Sequence, residues 1–199
     1  FGAREAAGVA PGVAVLHVLV RARVPVVVVA GGGAFADAVR AEQSRLGLGD
    51  PAAHRMAILA MHQMALAIVD LQPPPPRLVP VTSHSGIAGA LAKGQVAVWL
   101  PLPMVEQDPD IPEDWSITSD GLAAWLASRL GARHLVLVKS VGVAAAATAG
   151  ELAATGVVDR AFPRIVASSG FPWSIVGPGE LDRLAALLGA DMQPGPQSA

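Results

Sequence analysis

The chain predicts an α/β fold in which a mostly parallel sheet is covered by helices on both faces. Three observations predict it. Short apolar runs recur at 26–29, 78–81, 96–100, 135–138 and 173–176, and helical patterns separate them. Apart from Ser174 these runs are apolar rather than alternating, which is the composition of strands buried on both faces. The first of them, Val26-Val27-Val28-Val29, passes through Ala30 into Gly31-Gly32-Gly33 and then a helical pattern carrying Phe35, Asp37 and Arg40. In such a sheet, ligand sites lie at the C-terminal ends of the strands.

The elements follow in order. Val13 to Val20 has helical apolar spacing, with His17 as part of it, and ends before Pro25 and the first strand. Ala34 to Leu46 reads as a helix closed by Gly47 and Gly49; Asp50 then offers a cap and Pro51 a first helical residue. The next helix runs to about Leu71. Met56, Ile58, Leu59, Met61, Leu66 and Val69 make it apolar on nearly every side, which predicts that it is largely buried. Pro73 to Pro76 stop it. Strands at Leu78 to Val81 and Val96 to Leu100 flank a weak helix at Ile87 to Lys93, and the stretch from Pro101 to Asp114 reads as a loop. Leu122 to Leu130 is helical with Gly131 as its C-cap, and Leu135 to Val138 is a continuous buried strand ending in Lys139. A helix from about Ala149 to Thr155, the segments Val157 to Asp159 and Phe162 to Val166, a strand at Trp173 to Val176 and a last helix at Gly179 to Leu188 complete the order. Gln193 to Ala199 reads as a loose tail.

Composition narrows the function. The chain has 199 residues, 52% of them hydrophobic, enough for one domain with a sizeable core. Its net charge of −2 and the absence of a basic cluster argue against nucleic acid as a partner. No uninterrupted apolar run reaches the roughly 20 residues of a membrane span, and with no cysteine the chain is compatible with the cytoplasm, the expected location. The nearly all-round apolar helix and a charged fraction of only 15% predict a homo-oligomer.

Three places could carry chemistry. Glycine lacks Cβ, so the amides of Gly31 to Gly33 can approach an anion closely, and the helix N-terminus behind them adds a favourable dipole; the same residues also suit a tight turn without a ligand. Trp115-Ser116-Ile117-Thr118-Ser119-Asp120 brings hydroxyls and a carboxylate to a helix start, where Ser119 or Asp120 could equally serve as the cap. Lys139 sets an ammonium at the end of an apolar strand, to meet a phosphate or to snorkel into water. The histidines at 17, 54, 62, 84 and 134 have no metal-ligand spacing, so no metal site is expected from them. Ser83-His84-Ser85 lacks the setting of a hydrolase nucleophile, and the glycine turn fits neither a Walker loop nor Gly-x-Gly-x-x-Gly.

Taken together, Val26 to Asp37, Thr118 to Ala127 and Leu135 to Val141 resemble the amino acid kinase family. The resemblance implies a three-layer αβα sandwich with an eight-stranded, mostly parallel central sheet, over a single domain at 1–199. About 1–105 would be the acceptor-side half and about 106–192 the nucleotide-side half. ATP and Mg2+ are the implied cofactors, and transfer would be direct and in line. By position, Lys139 matches the lysine that stabilises transition-state charge and Asp120 the aspartate that organises it. Gly31, Gly32 and Gly33 match the loop that contacts the acceptor or the moving phosphoryl group. Ser119, Ser140 and Val141 fall on the nucleotide side.

Within the family, Asp50 to Met61, Ala97 to Pro101 and Trp115 to Asp120 look like the branch that includes the aminomethyl-furanmethanol phosphate kinase of methanofuran-type cofactor synthesis. That resemblance implies a furan-type phosphate acceptor and makes Arg40, His54 and Arg55 candidates to contact it, with His54 equally readable as a satisfied buried histidine. Two features depart from the family. Val141-Gly142-Val143 stands where many relatives have Val-Asp-Gly, and residues 1–25 contain no lysine followed by two glycines. The chain is therefore expected either to extend upstream of Phe1 or to be an impaired enzyme. A non-catalytic binder or storage protein of anions or nucleotides is the alternative function.

Overall fold

The computed structural model describes residues 11–144 and 146–191. The expected loose tail at 193–199 lies outside the described residues. The chain opens with helix α1 (Pro11–Val20), then β1 (Val27–Val29), α2 (Gly33–Leu46), α3 (Asp50–Asp70), β2 (Leu78–Val81), α4 (His84–Ala92) and β3 (Val96–Trp99). The second half comprises α5 (Leu102–Val105), α6 (Ser119–Leu130), β4 (Leu135–Val138), α7 (Ala149–Ala154), α8 (Phe162–Ser169), β5 (Trp173–Val176) and α9 (Leu181–Leu188).

All strand pairs are parallel. β3 lies between β1 and β2, with Val28 opposite Val98 and Val81 opposite Trp99, and β4 pairs with β5, with Leu137 opposite Ile175. Every residue of β3 is buried, and its side chains alternate between two cores. Val96 and Val98 pack with Leu16 and Leu19 of α1 and Met64 of α3, whereas Ala97 and Trp99 pack with Ile87 of α4 and Leu122 and Leu126 of α6. The two-stranded sheet is covered in the same way. Leu137 meets Leu152 and Phe162 on one face, while Val136 and Val176 meet Val18 and Leu184 on the other. Helices α1 and α6 thus each span both sheets, from opposite sides. This is the expected α/β layering, with five strands in two sheets among the described residues where eight in one were expected.

Local chemistry moves several boundaries. Gly49, in extended conformation, occupies the cap position of α3 instead of Asp50, which is the first helical residue and accepts from Gln43 Nε2. α4 begins earlier than expected because Ser83 Oγ accepts from the Gly86 amide, so Ser83-His84-Ser85 is a helix start. The stretch expected to be loop contains α5, whose fold-back is held by the Leu102 amide donating to His62 Nε2 and by Trp99 Nε1 donating to Met104 Sδ. α8 extends the short segment expected there through Ser169, with Pro163 in its first turn.

Two burial expectations are corrected. β4 is not buried along its length, and Val138 is 47% exposed, because among the described residues this strand pairs on one side only. α3 is not buried all round either. It packs against α2, β2 and β3 through Ala57, Met61 and Ala65, while Met56, Leu59 and Leu66 face outward. By length and composition α3 is the one described helix apolar enough to cross a membrane.

Candidate active site

β1 delivers the chain to the glycine turn at its C-terminal end, and each glycine there has a physical reason. A Cβ on Gly32 would lie 2.5 Å from Ala36 Cβ and 3.3 Å from Ala60 Cβ, so the turn is pressed against both α2 and α3. Gly33, which starts α2, has φ of +53°, a conformation that side chains disfavour. Gly31 faces α6, where its missing Cβ would sit 3.6 Å from Ser119 Oγ.

The other component rises from β4. Lys139 Nζ donates to both carboxylate oxygens of Asp120, at 2.7 Å each, and the two side chains are only 18% and 13% exposed. Burial pushes the Asp120 carboxyl up, with the Asp159 charge adding to it, while the Lys139 ammonium pulls the other way. Asp120 follows Ser119 directly, so this ion pair stands one residue from the glycine turn. The C-terminal ends of β1 and β4 therefore present amides, a hydroxyl and a charge-assisted pair around one place.

A cleft of about 180 Å3 opens at the glycine turn, lined by Gly31 to Gly33, Arg40, His54, Trp115 and Ser119 among others, while Asp120 and Lys139 are not part of its wall. The Arg40 guanidinium stacks over the Trp115 ring and donates to Asp37 Oδ1 at 2.8 Å. His54 lines the cleft yet is 3% exposed, and its Nε2–H donates to the Ile117 carbonyl at 3.2 Å. Desolvation holds its pKa below the ordinary 6.5 against that carbonyl and the charges of Asp114 and Glu113. His54 is thus a satisfied buried residue that also forms the cleft wall. Arg55 is not brought to the cleft; it points outward and pairs with Glu106 at 2.5 Å.

On the nucleotide side, Ser140 and Val141 follow Lys139 and are exposed. A second cavity, of about 460 Å3, begins one residue later and is lined mainly by Gly142, Val143, Ala147, Leu152, Thr155 and Val157. Ser140 and Val141 lie at its approach rather than in its wall. No group of three or more metal-ligating side chains occurs among the described residues.

Sequence reasoning missed Asp159. Neither Ser119 nor Asp120 caps α6: Thr118 occupies the cap position without a side-chain bond of that kind, and Asp159 supplies the acceptor from a distant loop. The signal was an aspartate three residues ahead of Phe162-Pro163, a pattern that starts helices.

The amino acid kinase family profile matches residues 5–147, and the chain belongs to that family. Among solved structures it is similar to the uridylate kinase of Archaeoglobus fulgidus, with a TM-score of 0.63 and 17% sequence identity, covering 89% of this chain and 87% of that one. Among curated protein sequences none matches this chain. The family and the shared fold support a kinase-type, phosphotransferase function.

Proposed function

We propose that this chain is an ATP-dependent kinase that transfers a phosphoryl group to a compact phosphorylated acceptor of the furan type. The observation that carries this reading is the Lys139–Asp120 pair, joined through the adjacent Ser119 to the glycine turn and to the cleft that also holds Arg40. The cleft volume of about 180 Å3 lies below the roughly 300–1,000 Å3 of sites that enclose drug-sized ligands, which favours an acceptor smaller than a nucleotide. The apolar cavity after Val141 suits a nucleobase, and Mg2+ would travel on the nucleotide phosphates, as that ion ordinarily does.

In this reading an acceptor phosphate oxygen attacks the γ-phosphorus of ATP, the bond to the β,γ-bridging oxygen breaks, and ADP leaves with those electrons. The chain supplies position and charge. Gly31 to Gly33 direct amides at the moving group, Arg40 holds the acceptor phosphate, and Lys139, oriented by Asp120, neutralises the charge that develops. The outward residues Met56, Leu59 and Leu66 support the further reading that the chain works as a homo-oligomer.

The test is ADP release with Mg-ATP and an aminomethyl-furan-methyl phosphate, with UMP in parallel. Turnover on the furan phosphate well above that on UMP is expected. Oxyanion or nucleotide binding with no turnover on either would replace the kinase by a binding protein, and preference for UMP would overturn the acceptor.

A further inference from the structure

We propose that Asp159 is the positioning residue of this site, holding the first turn of α6 so that Asp120 meets Lys139 and Ser119 meets the glycine turn. The inference rests on the phosphotransferase reading above. Asp159 lies between α7 and α8, far in sequence from the residues it holds. Its Oδ2 accepts from the Thr118 amide at 2.8 Å, from Thr118 Oγ1 at 3.2 Å and from the Gly121 amide at 2.8 Å. Its Oδ1 accepts from the Phe162 amide at 3.2 Å, at the start of α8.

The two α6 amides bracket Ser119 and Asp120, the two residues that face the site. One carboxylate therefore clamps the segment on both sides of them. Helix N-termini carry partial positive charge and unsatisfied N–H groups, and here two of them converge on the same side chain. Gly121 leaves room for the approach, since a Cβ there would lie 2.7 Å from Asp159 Oδ1 and 2.7 Å from Ile117 Cγ1. Without this clamp the first turn of α6 has no side-chain acceptor of its own, because Thr118 supplies none. Asp159 makes no hydrogen bond or ion pair to Lys139 and does not line the cleft; it reaches the site through the first turn of α6 and through its charge and backbone amide beside the Asp120 carboxyl.

The chain contains only two lysines, Lys93 and Lys139, and Lys93 is exposed, which gives an internal reference. Limited acetylation followed by peptide mass spectrometry reads the ratio of modification at Lys139 to that at Lys93. Asp120→Asn sets the value for a released Lys139. Asp159→Ala is expected to raise the ratio about tenfold toward that value, and to lower kcat by about tenfold or more while KM for ATP stays within about twofold. Asp159→Asn, which keeps one acceptor oxygen, should fall between Asp159→Ala and the unmodified protein. Gly121→Ala should move the ratio in the same direction with Asp159 intact. A folded Asp159→Ala variant with an unchanged ratio would overturn the inference; if that variant does not fold, unchanged ratios in both Asp159→Asn and Gly121→Ala would do so. Should the unmodified protein transfer no phosphoryl group, the proposed function fails, and the acetylation ratio still decides the role of Asp159.

Discussion

The Arg40 guanidinium lies 4.6 Å from the centroid of the Trp115 ring, and Trp115 Nε1 donates to Gln43 Oε1 at 2.6 Å. α2 and the segment leading into α6 are thereby joined at the cleft wall. A guanidinium held over an indole, with Asp37 accepting from Nη1, is pre-oriented to present its remaining N–H groups to an oxyanion.

Arg40→Ala is accordingly expected to raise KM for a phosphorylated acceptor about tenfold, with a smaller change in kcat, since the contact acts on bound substrate and transition state alike. Steady-state kinetics with varied acceptor checks it. An unchanged KM would remove Arg40 from acceptor binding.

Lys139→Ala should act on the other constant. If the ammonium meets charge that grows during transfer, kcat falls by about 100-fold or more while the dissociation constant for Mg-ATP changes by less than about tenfold. Isothermal titration beside single-turnover rates separates the two. Equal losses in both would make Lys139 a binding residue.

Stability should fall on mild acidification. His54 and His62 both have folded-state pKa values held below 6.5 by desolvation, and His62 Nε2 is occupied as acceptor from the Leu102 amide. The unfolded chain then binds more protons below about pH 6.5, so the contribution is complete above that pH and is lost as pH drops beneath it. The lowered carboxylates Asp114, Glu151 and Glu180 act only near and below their ordinary range of 3.8 to 4.5, whereas Asp120, raised by burial, takes up its proton above that range and opposes the two histidines on acidification. Urea unfolding at pH 7.5 and pH 5.5 checks this. His62→Gln should flatten the dependence, because its amide oxygen accepts the same N–H without titrating.

The homo-oligomer reading makes a sharper claim now that the outward face of α3 is defined. Leu66, 53% exposed, and Leu59, 41% exposed, lie on that face with Met56. Leu59→Glu and Leu66→Glu together should reduce the particle seen by light scattering to about the 20.2 kDa of one chain. A native particle of that mass at micromolar concentration would end the proposal.

What the sequence disclosed was set by range. The run from Val26 through the glycines into α2 is a local pattern, legible although Gly31 meets Ser119 and Gly32 meets Ala60 far along the chain. Gly47, Gly131 and Gly189 close helices in left-handed conformation for equally local reasons. Lys139 and Asp120 were legible as a pair only through family resemblance, since 19 residues separate them. The true acceptor for the start of α6 was not legible because it comes from 41 residues away, at a distance where hydrophobic periodicity carries no information. Arg55 lies away from the cleft for a related reason. Its neighbour His54 does line the cleft, but successive helical residues point about 100° apart, and Arg55 turns toward Glu106 instead.

Trp99 and Trp125 stack with ring centroids 5.8 Å apart and planes inclined by 19°, one at the end of β3 and the other within α6. Two indoles this close share their electronic excitation, so their absorption bands should split into a circular-dichroism couplet whose amplitude depends on mutual distance and angle. Trp99 travels with the three-stranded sheet and Trp125 with the helix that carries Asp120. The protein thus holds its own optical gauge of how those two parts are seated, readable in solution without any label, and the couplet should respond to any ligand that draws the parts together.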